Sequence, residues 1–482
     1  MRPIQAKDPS AAAPPPVPRL TAPAESSPRP NRPDEPNRPD EPNRPDEPNR
    51  PDEPNRPDEP NRPDEPSRPD EPTWPVRPDP AYGTQAPIGV STPSGDAVDA
   101  DVPGAVGRAL EQVLTDRLAR AGVLDALFAE ELAGRVARFT REGGKRTRSQ
   151  LLWWSMRACG GGDEMAVAAT LRIGAALELL QTCALVHDDL MDGSALRRGR
   201  PTLHTDLRNH YAGAAPADRS ARFGEAAAVL AGDLALAWAD DAAAETPLDP
   251  ATATTVRRVW SDMRTEMVAG QFLDLHGQLT MSRSQPQALR AAHLKSALYS
   301  VQRPLALGAA LAGADGRTTR ALCSAGRCVG MAFQLRDDLD DVFGDPLRTG
   351  KSCGDDIRNG KPTYLAALAL ARAEATADRP AMTVLERALG NEDLKPADLD
   401  EVRDVLVRTG ARQAVETKIV RLSARGLRHF DGALPDTAAK ARLRRLLTSA
   451  TASRATDGGP PDPVRPTPAG PSEGSAAPGT RR

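Results

Sequence analysis

Two acidic clusters carry most of the chemistry this sequence could perform. The first reads His187-Asp188-Asp189-Leu190-Met191-Asp192 and the second Asp337-Asp338-Leu339-Asp340-Asp341. In each, the first and last aspartates are four residues apart, a spacing that stacks side chains on one helix face. Carboxylates ~6 Å apart repel by roughly 3 kcal/mol at an effective dielectric of about 20. A helix C-terminus adds to that cost through its dipole. A hard divalent cation removes both penalties, and Mg²⁺ typically takes one or two carboxylates together with substrate phosphate oxygens. A single cluster would fit a solvated acidic helix end equally well, where like-charge pairs cost little. Two copies on separate apolar helices favour metal.

Basic residues supply the complement. Gly143-Gly144-Lys145-Arg146-Thr147-Arg148 stands just before a helix, so backbone amides and cationic side chains can share one anion. Arg197-Arg198-Gly199 follows the first acidic cluster, Lys295 lies mid-helix, and Lys351 and Lys361 flank a Gly-containing loop behind the second cluster. Taken one at a time, each is an ordinary solvated cation. Gathered beside acidic clusters, they suggest two diphosphate sites, one bridged by metal and one held mainly by Lys and Arg.

The elements that must position these groups are helical. From Val106 onward Ala, Leu, Glu and Arg dominate, and the alternation of β-branched residues expected of strands is absent. Gly160-Gly161-Gly162 ends one helix, and Asp163 caps the next, which runs to about Asp192. Gly199 to Pro216 reads as a long loop, and Ala217 to Glu245 as a helix. Pro250 starts another helix, lasting to about Leu279. Further helices cover about Gln285 to Ala312 and Thr318 to Val342, and shorter ones follow Pro362, Pro380 and Pro396. The fold class is all-α, a multi-helix bundle around a central apolar cavity.

Composition sets the boundaries. NRPDEP repeats six times from Asn31 to Pro66, and SRPDEP follows to Pro72. A hexapeptide with two prolines, three charges and no apolar side chain cannot offset its ordering entropy by burial. Residues 1–98 therefore read as a disordered Pro-rich tail acting as a spacer, 99–450 as the helical domain, and 451–482 as a second disordered tail. The whole chain carries −3 and the seven repeats −7, which leaves about +4 elsewhere. That balance suits anionic substrates and is too weak to argue for nucleic acid. Five cysteines make no zinc-type pairs and no disulfide framework, so reduced thiols and a cytoplasmic location are expected. No apolar run is expected to approach membrane-spanning length, and no transmembrane segment is expected.

At these residues the sequence resembles the trans-prenyl diphosphate synthase (polyprenyl synthetase) family, over roughly Val106 to Ala450. GGKRTR, HDDLMD with RRGRPTLH, Gly232-Asp233, GQFLDL from Gly270, Lys295-Ser296, FQLRDDLDD from Phe333 and GKSCGDDIRNGK from Gly350 match its motifs in order. The resemblance implies an isoprenoid-synthase bundle, three Mg²⁺ ions per site, a homodimer, and condensation of isopentenyl diphosphate with an allylic diphosphate. It also implies roles. Lys145, Arg148, Gln181 and Arg198 would hold isopentenyl diphosphate. Arg197, Lys295, Ser296, Gln334, Lys351 and Lys361 would hold the allylic diphosphate. Asp188, Asp192 and Asp337 would be the principal metal ligands, supported by Asp189, Asp338 and Asp341. Thr147 and Ser149 replace the family's usual Leu and Pro, and Ser296 its usual Thr, with no charge or ligand lost.

In this family, bulky residues four and five positions before the first aspartate close the product cavity early. Here those positions are Ala184 and Cys183, with Leu180 one turn deeper. A product longer than fifteen carbons is expected, with geranylgeranyl diphosphate favoured over farnesyl or longer chains. A terpene cyclase would share one DDxxD cluster but has no use for GGKxxR or the second arginine of RRG. A scaffold organised by the proline repeats is the other competing reading.

Overall fold

The computed structural model describes residues 92–197, 199–345 and 353–452. The NRPDEP repeats, most of the C-terminal tail, Arg198 and Lys351 lie outside the described residues. Helices account for nearly all of the rest, with one two-stranded hairpin, β1 (Leu196–Arg197) and β2 (Arg200–Pro201).

The helices begin where the capping chemistry is written. Ser94 caps α1 (Gly95–Ala100) and Asp101 caps α2 (Val102–Leu124), whose second residue is Pro103. The folded domain thus starts a few residues ahead of the expected boundary at 99. Val98 is fully buried, and Asp99 accepts hydrogen bonds from Trp153 Nε1 at 2.8 Å and Arg157 Nη2 at 2.9 Å. After α3 (Ala126–Phe128), a π turn (Ala129–Ala133) leads into α4 (Gly134–Arg141), and α5 (Thr147–Ala158) follows the basic loop.

The central element is α6 (Glu164–Met191), capped by Asp163 and buried on nearly every side by Leu177, Leu179, Leu180 and Val186. Each of these leucines contributes roughly 2 kcal/mol of burial. By length and composition α6 is apolar enough to cross a membrane, contrary to expectation, but 78% of its apolar window is buried inside the domain. The segment expected to be a loop between Gly199 and Pro216 contains α7 (Leu203–His210). Its two buried leucines, Leu203 and Leu207, sit one turn apart and pack the short helix down, a signal too brief for periodicity to reveal.

The chain continues through α8 (Ala217–Ala244) and α9 (Pro250–Leu279), whose ends match the caps and prolines that mark them. Small residues let α8 approach α6 closely. A Cβ on Gly232 would come within 2.0 Å of His187 Nε2. The expected helix from Gln285 to Ala312 is three joined pieces: α10 (Gln285–Ala292), a π-helical stretch (His293–Gln302) and α11 (Arg303–Leu311). Pro304 explains the break. It has no N–H for the Ser300 carbonyl, and its ring crowds that turn, so the preceding helix widens. Arg303 N–H bonds Leu298 O, five residues back.

Asp315 caps α12 (Gly316–Phe343), which carries the second acidic cluster at its far end. Six helices complete the described domain: α13 (Asp355–Arg358), α14 (Tyr364–Ala375), α15 (Arg379–Ala388), α16 (Pro396–Arg408), α17 (Ala411–Asp431) and α18 (Ala438–Ser449). Two apolar clusters hold the bundle. One is built around α5, α6, α8 and α11. The other joins the end of α12 to α14 through α17 by way of Leu335, Leu339, Leu365 and Leu385.

Candidate active site

The first acidic cluster occupies the last turn of α6, where the helix dipole disfavours negative charge. Cations from three other elements meet it. Lys295, in the π stretch, donates to Asp188 Oδ1 at 2.9 Å and to Asp274 Oδ2, on α9, at 2.8 Å. Arg197, on β1, donates from Nε to both oxygens of Asp189 at 2.8 Å. Lys361, from the segment behind the second cluster, donates to Asp192 Oδ2 at 2.7 Å and lies 3.5 Å from Asp356 Oδ1. Burial pushes the Asp188 carboxyl up, but Lys295, Lys361 and Arg197 together hold it below its ordinary value. Burial raises Asp189 above its ordinary value in spite of Arg197. Burial would lower Lys361, yet Asp356, Asp192 and Asp188 keep it well above the usual lysine range.

Lys295 can reach both carboxylates because two helices cross almost in contact. A Cβ on Gly270 of α9 would sit 2.2 Å from the Lys295 backbone nitrogen. Only glycine permits that approach, which explains the glycine of the GQFLDL motif.

The second cluster ends α12. Asp338 is 6% exposed and accepts a 2.7 Å hydrogen bond from Gln334 Nε2. Burial pushes its carboxyl well above the ordinary value, and the charges of Asp356, Asp337 and Asp274 push the same way. Asp341 Oδ2 accepts the Asp356 backbone N–H at 3.2 Å. The two clusters are linked at one remove. Lys361 bonds Asp192 and lies near Asp356, whose backbone N–H bonds Asp341. Asp274 shares Lys295 with Asp188 while its charge raises Asp338. Ser296 is half-buried in the π stretch beside Lys295.

The basic loop forms a separate neighbourhood. Arg146 takes a left-handed conformation, φ 49°, just before α5. Arg146 Nη1 and Arg148 Nε are both buried with no hydrogen-bond partner. Arg148 Nη2 donates to Ser300 at 2.8 Å, and Gln181 Oε1 accepts from the Tyr299 hydroxyl at 2.9 Å. Lys145 is exposed at the loop tip, and its carbonyl accepts from Gln150 at 2.7 Å. Ser149, where the family usually has proline, places its hydroxyl 2.5 Å from the buried Glu178 carboxylate.

Below Asp188, the four-residue steps of α6 lead to Ala184, half-buried, and then to Leu180, fully buried. Cys183, beside Ala184, is buried: its sulfur is 3.8 Å from His187 Nδ1, and His187 Nε2 is 3.1 Å from the Val229 carbonyl on α8.

Among the described residues, no three His, Cys, Asp or Glu side chains close on one point as a ready metal site. The residues nevertheless suit a hard cation. Asp192 Oδ1 is buried with no hydrogen-bond partner, and Asp338 is buried amid other carboxylates. A cation would relieve both. The motif reading underweighted Asp274, Asp356 and Tyr299. Asp274 and Asp356 were legible as members of quoted motifs, whereas nothing local marks Tyr299.

A family model described as polyprenyl synthetase matches residues 130–406. The chain is 37% identical over 243 residues to a farnesyl diphosphate synthase of Geobacillus stearothermophilus, covering 48% of this chain and 73% of that one. It is 32% identical over 278 residues to a geranylgeranyl diphosphate synthase of Saccharolobus solfataricus, covering 57% of this chain and 76% of that one. A crystal structure of a geranylgeranyl pyrophosphate synthase from Corynebacterium glutamicum, complexed with isoprenyl diphosphate and magnesium, is similar with a TM-score of 0.69. Its identity is 36%, over 72% of this chain and 98% of that one.

Proposed function

This chain belongs to the polyprenyl synthetase family and is a prenyltransferase that joins isopentenyl diphosphate to an allylic diphosphate, and we propose that its product is geranylgeranyl diphosphate. The observation that carries the arrangement is Lys361: it stands behind the second acidic cluster and bonds Asp192 of the first at 2.7 Å, which supports a single site shared by both clusters.

In this reading Asp188, Asp192 and Asp337 would hold three Mg²⁺ ions, with Asp189, Asp338 and Asp341 in support. When bound, these ions would supply positive charge where the leaving diphosphate becomes negative. Arg197, Lys295, Ser296, Gln334, Lys351 and Lys361 grip the allylic diphosphate and stabilise it as the C–O bond ionises. Lys145, Arg148, Gln181 and Arg198 hold isopentenyl diphosphate, whose double bond attacks the allylic cation. The orphaned N–H groups of Arg146 and Arg148 support an anion there. A proton then leaves the new chain, with the released diphosphate as its acceptor. The apolar helix faces exclude water that would quench the cation.

Ala184 and Leu180, stacked beneath Asp188, with the small Cys183 beside them, support a cavity long enough for a twenty-carbon chain. Exposed Phe223 and Leu230 on α8, with Val268 and Phe272 on α9, support a homodimer. Five unpaired cysteines support a cytoplasmic location. The test is product analysis with labelled isopentenyl diphosphate and each allylic primer, with and without Mg²⁺. A labelled twenty-carbon allylic diphosphate made only with Mg²⁺ is expected. A cyclic hydrocarbon from the allylic substrate alone would refute the reading.

A further inference from the structure

One buried polar side chain with no role above touches the isopentenyl side of the cleft. Tyr299 is 3% exposed and lies in the π stretch, four residues after Lys295. Its hydroxyl donates to Gln181 Oε1 at 2.9 Å, and its ring lies under the Arg148 guanidinium, 4.4 Å from the centroid. The next residue, Ser300, accepts from Arg148 Nη2 at 2.8 Å. Residues 299 and 300 thus touch both groups through which α5 and α6 would hold the second diphosphate.

A glutamine amide can present either its oxygen or its NH₂ to a ligand, and its fixed hydrogen bonds decide which. Burial raises the Tyr299 phenol, so it stays protonated and acts as a donor. With the amide oxygen engaged by that donor, the two amide hydrogens are left for an acceptor, and phosphate oxygens are acceptors only. Arg148 is constrained in the same way. One arm is tied to Ser300, its plane rests on the ring, and its buried Nε–H has no partner. Stacking and one fixed hydrogen bond cut the rotamer freedom that the long side chain would otherwise lose on binding.

We propose that Tyr299 is a positioning residue for isopentenyl diphosphate: its hydroxyl sets the orientation of the Gln181 amide and its ring sets the plane of Arg148, so the incoming diphosphate meets only donors. This rests on the reading that Gln181 and Arg148 hold that substrate. The π stretch serves both sides of the cleft, because its wide turn carries Lys295 to the first acidic cluster and Tyr299 to Gln181.

The test is steady-state kinetics on the full chain with saturating Mg²⁺, varying each substrate separately, beside thermal melts. Tyr299→Phe keeps the ring and is expected to raise KM for isopentenyl diphosphate about tenfold, with kcat and the allylic KM within about twofold and Tm unchanged. Gln181→Ala is expected to match it, and the double variant to be no worse than Gln181→Ala alone. Tyr299→Leu, which also removes the ring, is expected to raise the same KM further. If Gln181→Ala raises that KM while Tyr299→Phe leaves it alone, or raises both KM values equally, the positioning role is overturned and the substrate site stands. If Gln181→Ala and Arg148→Ala both leave that KM unchanged, the substrate assignment fails and takes this proposal with it.

Discussion

The ends of α6 and α12 carry closely similar acidic sequences, and Asp188 on the first and Asp338 on the second sit in opposite electrostatic states. Asp188, at the end of α6, is held below its ordinary value because Lys295, Lys361 and Arg197 outweigh its burial. Asp338, at the end of α12, is pushed well above its ordinary value by burial, with Asp356, Asp337 and Asp274 adding to it. The two positions are not equivalent in the motif: the counterpart of Asp338 on α6 is Asp189, which burial also raises, though there Arg197 opposes it. At Asp188 the protein's own cations stabilise the ionised carboxylate in advance. At α12 the buried carboxyl is costly when ionised, and an added cation gains most there.

Removing a principal carboxylate is the bluntest way to probe that contrast. Asp192→Ala and Asp337→Ala are each expected to lower turnover by about 10³-fold at fixed Mg²⁺. Near-normal turnover in either would mean that the corresponding helix end takes no part in the chemistry. Lys361→Ala, which cuts the tie between the clusters, is expected to lower kcat by about 10²-fold. Arginine at that position should recover part of the loss, since charge is retained without the same geometry.

The contrast sharpens in thermal melts without metal or substrate, in excess EDTA at neutral pH. The fold favours ionised Asp188, so its contribution is present above the ordinary aspartate value and lost as pH falls through its folded value. Asp188→Asn should therefore lower Tm. The fold disfavours ionised Asp338, which costs stability as pH rises through its raised value, so Asp338→Asn should raise Tm. Shifts of about 2 °C in opposite directions are expected, and shifts of the same sign would break the comparison. The smallest effect on rate is expected from Ala184→Phe, which lies beneath the cluster and away from its charges. It should shorten the product with turnover little changed, as read by chromatography of the products, and an unchanged product would move the cavity floor elsewhere.

Much of this was legible before the fold. Asp163, Asp249 with Pro250, and Asp315 mark the starts of α6, α9 and α12 because capping is local chemistry within three residues. The clusters, the basic loop and Lys361 were legible as charges at odds with apolar helices. Other features were not. Helix α7 is only eight residues long, so two buried leucines make no readable period. The π stretch follows from Pro304, but how far the widening extends depends on packing against α9 and α12. Asp274 shares Lys295 with Asp188, which is 86 residues away in the chain. Tyr299 reaches Gln181 across 118 residues, and no local pattern encodes that pairing.

Residue types and short-range spacing by themselves determined that this chain is helical, where its long helices start, and that two helix ends carry carboxylates needing cations. Those properties arise from hydrogen bonds and repulsions within one or two turns, so a linear reading reaches them. Only the tertiary structure decided which cation serves which carboxylate, that Gly270 lets α9 press against Lys295, and that His187 reaches the Val229 carbonyl on α8. These depend on helix rotation and crossing, where a shift of one residue turns a side chain by about 100°, and packing of the whole bundle sets that angle.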